Sequence, residues 1–160
     1  DLFYIGGTKN GALFGEALVI AHPDLKPDFR YMIKQKGAML AKGFLLGIQF
    51  EELFQNNLFY DMASHANEMA MELKKAFSRC GFPFFSGSAT NQQFPILPDS
   101  LIARLRQSYQ FQNQKKIDET HTAVRFVTSW ATKEEAVRQF TQDLETMIKE
   151  LAAERAEARK

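Results

Sequence analysis

Lys9 stands in the segment Gly6-Gly7-Thr8-Lys9-Asn10-Gly11, directly after a short apolar run. Glycines on both sides let the backbone take left-handed or crowded conformations, so one lysine is presented on a constrained loop. Such a loop has several uses. A phosphate-binding loop of nucleotide enzymes needs G-x-x-x-x-G-K-[ST], and that order is absent here. A solvated surface turn with no chemistry is the plain alternative. The second residue of interest is Arg125. Strand alternation puts it between Ala123 and Val127 on one face, with Val124, Phe126, Thr128 and Trp130 on the other. A guanidinium among apolar neighbours is costly to bury without an anion, and its fork matches a carboxylate bidentately. That carboxylate could belong to an internal Asp or Glu or to a ligand, and the pattern alone leaves both open.

Other polar residues carry less. Lys34, Lys36 and Lys42 form a basic cluster beside glycines, equally readable as a solvated helix edge. His22, His65 and His121 are separated, without two histidines four apart, so a zinc site is not expected. His65 lies in a helical pattern where a packed or capping role is the ordinary one.

These residues need elements to hold them. Residues 2–5 and 16–21 are short β-type runs on either side of the lysine bend and are expected to be neighbouring strands, the end of a mostly parallel sheet. Asp28 is placed to cap a helix running towards Gln35. The stretch from Ala38 to Phe54 is apolar nearly all round, with Gly43 and Gly47 four apart. It predicts a buried helix in close backbone contact, in the core or at a subunit interface. Leu58, Met62, Met69, Leu73 and Phe77 predict a long amphipathic helix to Arg79, stopped by Gly81. Strands are expected at 84–85, 93–97, 109–112 and 122–129, with a helix over 100–107. Thr132-Lys133-Glu134-Glu135 has the form of a capping box ahead of a helical pattern to Leu151, and residues 152–160 read as a charged, solvated or frayed helical tail.

Composition bounds the partners. The chain has 160 residues, 45% hydrophobic and 24% charged, enough for one sizeable core. Its 20 basic and 19 acidic residues nearly cancel, which removes the basic field that nucleic acid or an anionic membrane requires. No apolar run reaches the roughly 18 residues of a membrane span. The lone Cys80 is expected to be a buried free thiol, and with no leader in view a reducing, cytoplasmic setting is the simpler expectation. The chain opens on an apolar strand without an initiator methionine, as though in mid-domain.

Taken with its surroundings, the lysine segment resembles the cofactor-lysine segment of the threonine aldolase/β-eliminating lyase family. The likeness covers Gly6 to Leu13 and Gly15 to Ile20, and it continues through 34–43, 45–50, 91–95 and 124–132. This resemblance implies a fold type I enzyme dependent on pyridoxal 5'-phosphate (PLP). The expected fold class is α/β with an α+β small domain that holds a small, mostly antiparallel sheet and packed helices. Residues 1–36 would end the cofactor-binding large domain, 37–80 form connecting helices, 81–151 the small domain and 152–160 a tail. Lys9 would hold the cofactor through its neutral amine, which a partly desolvated, electropositive site favours. Thr8 and Lys34 would contribute to the cofactor phosphate, and Arg125 would grip the α-carboxylate of an amino-acid substrate.

The implied reaction is cleavage of the Cα–Cβ bond of L-threonine or a related β-hydroxy amino acid to glycine and an aldehyde. β-Elimination on another amino acid, or a non-catalytic structural fragment, are the competing readings. In such enzymes the acid facing the pyridine nitrogen, the ring-stacking side chain and the phosphate-binding glycines precede the lysine. The 160 residues alone are therefore expected neither to bind the cofactor tightly nor to turn over, and to need a preceding half within a homodimer or homotetramer.

Overall fold

The computed structural model describes residues 1–158, the Arg155 side chain excepted. The last two residues of the charged tail lie outside the described residues. The chain divides into two units, Asp1–Ala63 and the remainder from Ser64 onward.

In the first unit, strand β1 (Leu2–Gly6) pairs with β2 (Glu16–Ile20), Leu2 opposite Ile20 and Gly6 opposite Glu16. The pairing is antiparallel, and the two runs are neighbouring strands as expected. The connecting loop is too short for the crossover that parallel neighbours need. Helix α1 (Phe29–Gln35) forms as the pattern predicts, but Asp28 does not cap it through its side chain. Its backbone sits at φ +56°, whereas side-chain capping uses an extended residue.

Helix α2 spans Phe44–Phe54, starting later than the apolar run. Only Phe50 and Leu53 are buried on it, while Phe44, Leu45 and Ile48 are exposed. The expectation of a core helix is thus corrected for this chain by itself. An all-round apolar helix can bury only one side against a single small layer. The close backbone approach expected at Gly47 is also absent, since a Cβ there would meet nothing within 4 Å. Helix α3 (Leu58–Arg79) runs for 22 residues and stops before Gly81, whose φ of +79° no ordinary L residue holds cheaply.

In the second unit, α3 contributes a face of Ala66, Met69, Ala70, Leu73, Ala76 and Phe77, the three-to-four spacing the sequence predicts. Around it lie β3 (Gln92–Gln93), β4 (Ile96–Pro98), α4 (Asp99–Leu105), β5 (Gln112–Lys116), β6 (His121–Val127) and α5 (Glu134–Glu157). β6 is central: β3 and β4 run antiparallel along one edge in a continuous register, and β5 takes the other. The break falls at Phe94-Pro95, where proline has no N–H to give and the Phe94 carbonyl accepts from Phe85 N at 2.9 Å. β5 begins where the aromatic pattern of 109–112 ends. All its residues are exposed and polar, so nothing in its hydropathy marks it as a strand.

The core is aromatic. Phe77, with no exposed surface, meets Phe126 at 5.2 Å and Phe140 at 5.5 Å between ring centroids, and Phe111 stacks on Phe126 at 4.6 Å. Edge-to-face and offset geometries of this kind favour a unique packing. α5 extends to Glu157, so the tail past Leu151 continues as helix through that residue. The capping box does not form. Lys133 is the N-cap without a side-chain bond, and Thr132 Oγ1 accepts instead from Ser129 N at 2.9 Å, closing the turn that precedes the helix. Phe84 makes only an isolated bridge to Pro95.

Candidate functional site

Thr8–Asn10 is a single 3-10 turn whose shape is set by its flanks. The Gly7 carbonyl accepts from Asn10 N at 2.9 Å and from Ala12 N at 3.0 Å. A Cβ on Gly7 would lie 2.6 Å from Ala12 Cβ and 3.0 Å from the Phe50 ring, so glycine is required by contact with α2. Gly11 has φ +101°, and a Cβ there would come within 2.9 Å of Met62 Sδ. Asn10 is buried and its Nδ2 donates to the Phe59 carbonyl at 3.3 Å.

Beyond the turn, Gln49 of α2 secures the next residues, with Oε1 accepting from Leu13 N at 2.7 Å and Nε2 donating to the Phe14 carbonyl at 3.3 Å. The backbone around Lys9 is therefore tied down on both sides. Thr8 and Lys9 themselves are exposed, and the Lys9 amine has no hydrogen bond or ion pair with any described residue. A fixed backbone carrying a free amine suits a lysine that bonds to something else.

Lys34 lies in the last turn of α1, exposed, and shares no hydrogen bond or ion pair with the Thr8–Lys9 turn. The structure thus brings Thr8 and Lys9 together by adjacency and links Lys34 to them through no described interaction.

Arg125 sits on β6, half-buried, directly opposite Gln112 of β5. Its Nη2 donates to Gln112 Oε1, and its Nη1 donates to Gln92 Oε1 at 3.5 Å. Its Nε is buried and has no hydrogen-bond partner. Among the described residues no carboxylate forms an ion pair with it. Of the two anion sources that the sequence left open, the internal salt bridge is the one the structure does not supply. An unpaired buried donor on a guanidinium needs an explanation, and a ligand carboxylate is one.

Other ionisable clusters are already satisfied. His65 Nε2 donates to the Thr132 carbonyl at 2.7 Å, a packing role. Pro98, Asp99, Thr120 and His121 line an open cleft of about 450 Å³. Asp99 there bonds to Lys116 and Thr122, and the nearby Asp118 accepts from Thr120 N at 2.7 Å and His121 N at 2.8 Å. The backbone N–H of Thr120, above all, holds the Asp118 carboxyl down at about 2. Burial, with some repulsion from Glu145, raises the Cys80 thiol above its ordinary value. No group of three or more His, Cys, Asp or Glu among the described residues could hold a metal ion.

Sequence reasoning missed Gln49, Asn10, Gln92 and Gln112 as residues serving these two places. For Gln112 a signal existed, since an antiparallel partner of Arg125 must present a side chain on the same face. For Gln49 none did, because its role depends on where α2 lies against the loop.

No protein-family model matches the chain. It is 29% identical over 153 residues to a low specificity L-threonine aldolase of Pseudomonas aeruginosa, covering 92% of this chain and 42% of that protein. A second such aldolase, from a Pseudomonas species, is 26% identical over the same coverage. Among solved structures, a threonine aldolase of Leishmania major superposes with a TM-score of 0.89 at 44% identity, covering 92% of this chain and 43% of that one. The chain thus spans less than half the length of the relatives it matches, and the match to part of a threonine aldolase structure agrees with the helices and small antiparallel sheets described above.

Proposed function

We propose that this chain, a homologue of L-threonine aldolases over most of its length, is the C-terminal segment of a PLP-dependent lyase that cleaves L-threonine or a related β-hydroxy amino acid to glycine and an aldehyde. The observation that carries this reading is the free, exposed Lys9 amine on a turn whose backbone is fixed from both sides. The residues present fit the cofactor and an amino acid: one lysine without a partner, and one arginine without an internal carboxylate and with an orphaned Nε.

When bound, the cofactor supplies the electron sink for breaking a bond at Cα. Lys9 would hold it through Nζ. The Thr8 hydroxyl would donate to the cofactor phosphate, and Lys34 would add charge at the same group. Arg125 receives the substrate α-carboxylate, which sets the bond at Cα that aligns for cleavage. Residues 1–36 end the large domain, 37–80 connect, 81–151 form the small domain and 152–160 its tail. The exposed Phe44, Leu45 and Ile48 favour burial against the rest of the complete protein, a homodimer or homotetramer. Among the described residues no helix is long and apolar enough to cross a membrane, and we place the enzyme in the cytoplasm.

The test is reductive trapping. Full-length protein loaded with PLP and treated with borohydride should carry the added mass on the peptide containing Lys9, and Lys9→Ala should lose both the adduct and the visible band. An adduct on another lysine, or a band that persists in Lys9→Ala, would overturn the assignment. Turnover of threonine compared with serine, tyrosine and tryptophan then separates Cα–Cβ cleavage from β-elimination.

A further inference from the structure

The partners of Arg125 are both neutral. Gln112 faces it across the β5–β6 pair, and Gln92, opposite Val127, falls on the same face of the sheet. Each presents an amide oxygen to a different terminal nitrogen of the guanidinium. Glutamate has the same shape as glutamine and would bond to arginine more strongly. At either position it would also neutralise the charge, and an incoming carboxylate would then have to displace an internal one. A glutamine oxygen fixes the plane of the guanidinium and leaves the full positive charge available.

We propose that Gln112, assisted by Gln92, is the positioning residue that orients Arg125 while keeping its charge uncompensated, and so makes the site select a ligand by its carboxylate. This rests on the reading that Arg125 receives the substrate carboxylate, and it adds the determinant of that selectivity. β5 is the means of delivery. It is an exposed polar edge strand with an irregularity between Asn113 and Lys115, and Gln112 pairs with Arg125 just before the register shifts.

The experiment uses the full-length, cofactor-loaded protein, titrated with glycine and with glycinamide, which lacks the carboxylate, and followed by the cofactor absorbance. Gln112→Glu should weaken glycine at least about tenfold while glycinamide stays within about twofold of the unaltered protein. Gln112→Met, which removes the acceptor without adding charge, should weaken glycine by only about two- to fivefold. Arg125→Ala separates the two levels. If it leaves glycine affinity intact, the carboxylate role of Arg125 falls. If it abolishes the preference for glycine but Gln112→Glu does not, that role stands and the positioning role of Gln112 falls. Equal weakening of both ligands by Gln112→Glu, or a Gln112→Met as damaging as Gln112→Glu, also overturns the proposal, because the effect would then be structural rather than electrostatic.

Discussion

The Gln49 side chain and Leu13 are joined by a hydrogen bond of 2.7 Å from the Leu13 backbone N–H to Oε1, while Nε2 of the same amide reaches the Phe14 carbonyl. One helical side chain thus serves two successive backbone groups of the loop that carries Lys9, as a neighbouring strand would. Gln49→Ala is expected to loosen that loop and reduce trapping of cofactor at Lys9 by about tenfold or less. The checks are the yield of the borohydride adduct and faster hydrogen exchange at residues 12–15. Unchanged exchange there would show that Gln49 is not the clamp.

Gly11 tests the other side of the same loop. Its φ of +101° and the nearness of Met62 Sδ make any side chain strained as well as crowded. Gly11→Ala should lower stability by about 1–2 kcal/mol, read as a shift of the urea midpoint.

Phe77 is the centre of the second unit's core, with no exposed surface and ring contacts to Phe82, Phe84, Phe126 and Phe140. Phe77→Ala is expected to cost about 3–5 kcal/mol in chemical unfolding. A loss under about 1 kcal/mol would mean that the aromatic cluster closes over the gap.

Helix α5 offers a stabilising change. Lys133 occupies the N-cap with an extended backbone and makes no side-chain capping bond. Lys133→Ser should cap an open N–H and remove a cation from the positive end of the helix dipole, raising stability by about 0.5–1 kcal/mol. The thermal midpoint reads this directly.

Two groups give opposite pH dependences. Burial, then the hydrogen bond to Asp143, pushes the Tyr109 hydroxyl up from 10.0 to about 12. Its protonated form is favoured by the fold, so the contribution is complete below pH 10 and disappears as pH rises towards 12. Asp118 runs the other way: lowered from 3.8 to about 2, it contributes above pH 3.8 and the contribution fades as pH falls through about 2. Tyr109→Phe should flatten the alkaline limb of the stability profile, and Asp118→Asn the acid limb. A profile unchanged in its own limb would remove that group from the account.

Periodicity alone determined the long helix Leu58–Arg79, a strand over 122–129 that carries Arg125, observed as His121–Val127, and the glycine-flanked bend at Lys9. These follow from local patterns, apolar spacing along one element and conformational freedom at one turn, which are written in neighbouring residues. Tertiary structure decided what the local pattern could not. The apolar run to Phe54 became a helix with an exposed apolar side, because burial depends on what lies opposite. The polar segment Gln112–Lys116 became a strand, because β6 had an open edge to satisfy. The Thr132 hydroxyl served a turn rather than the predicted cap. Above all, the sequence presented Arg125 as a charge in need of an anion, and only the fold showed it held by two neutral amides, a relation between separate strands that no spacing along the chain encodes.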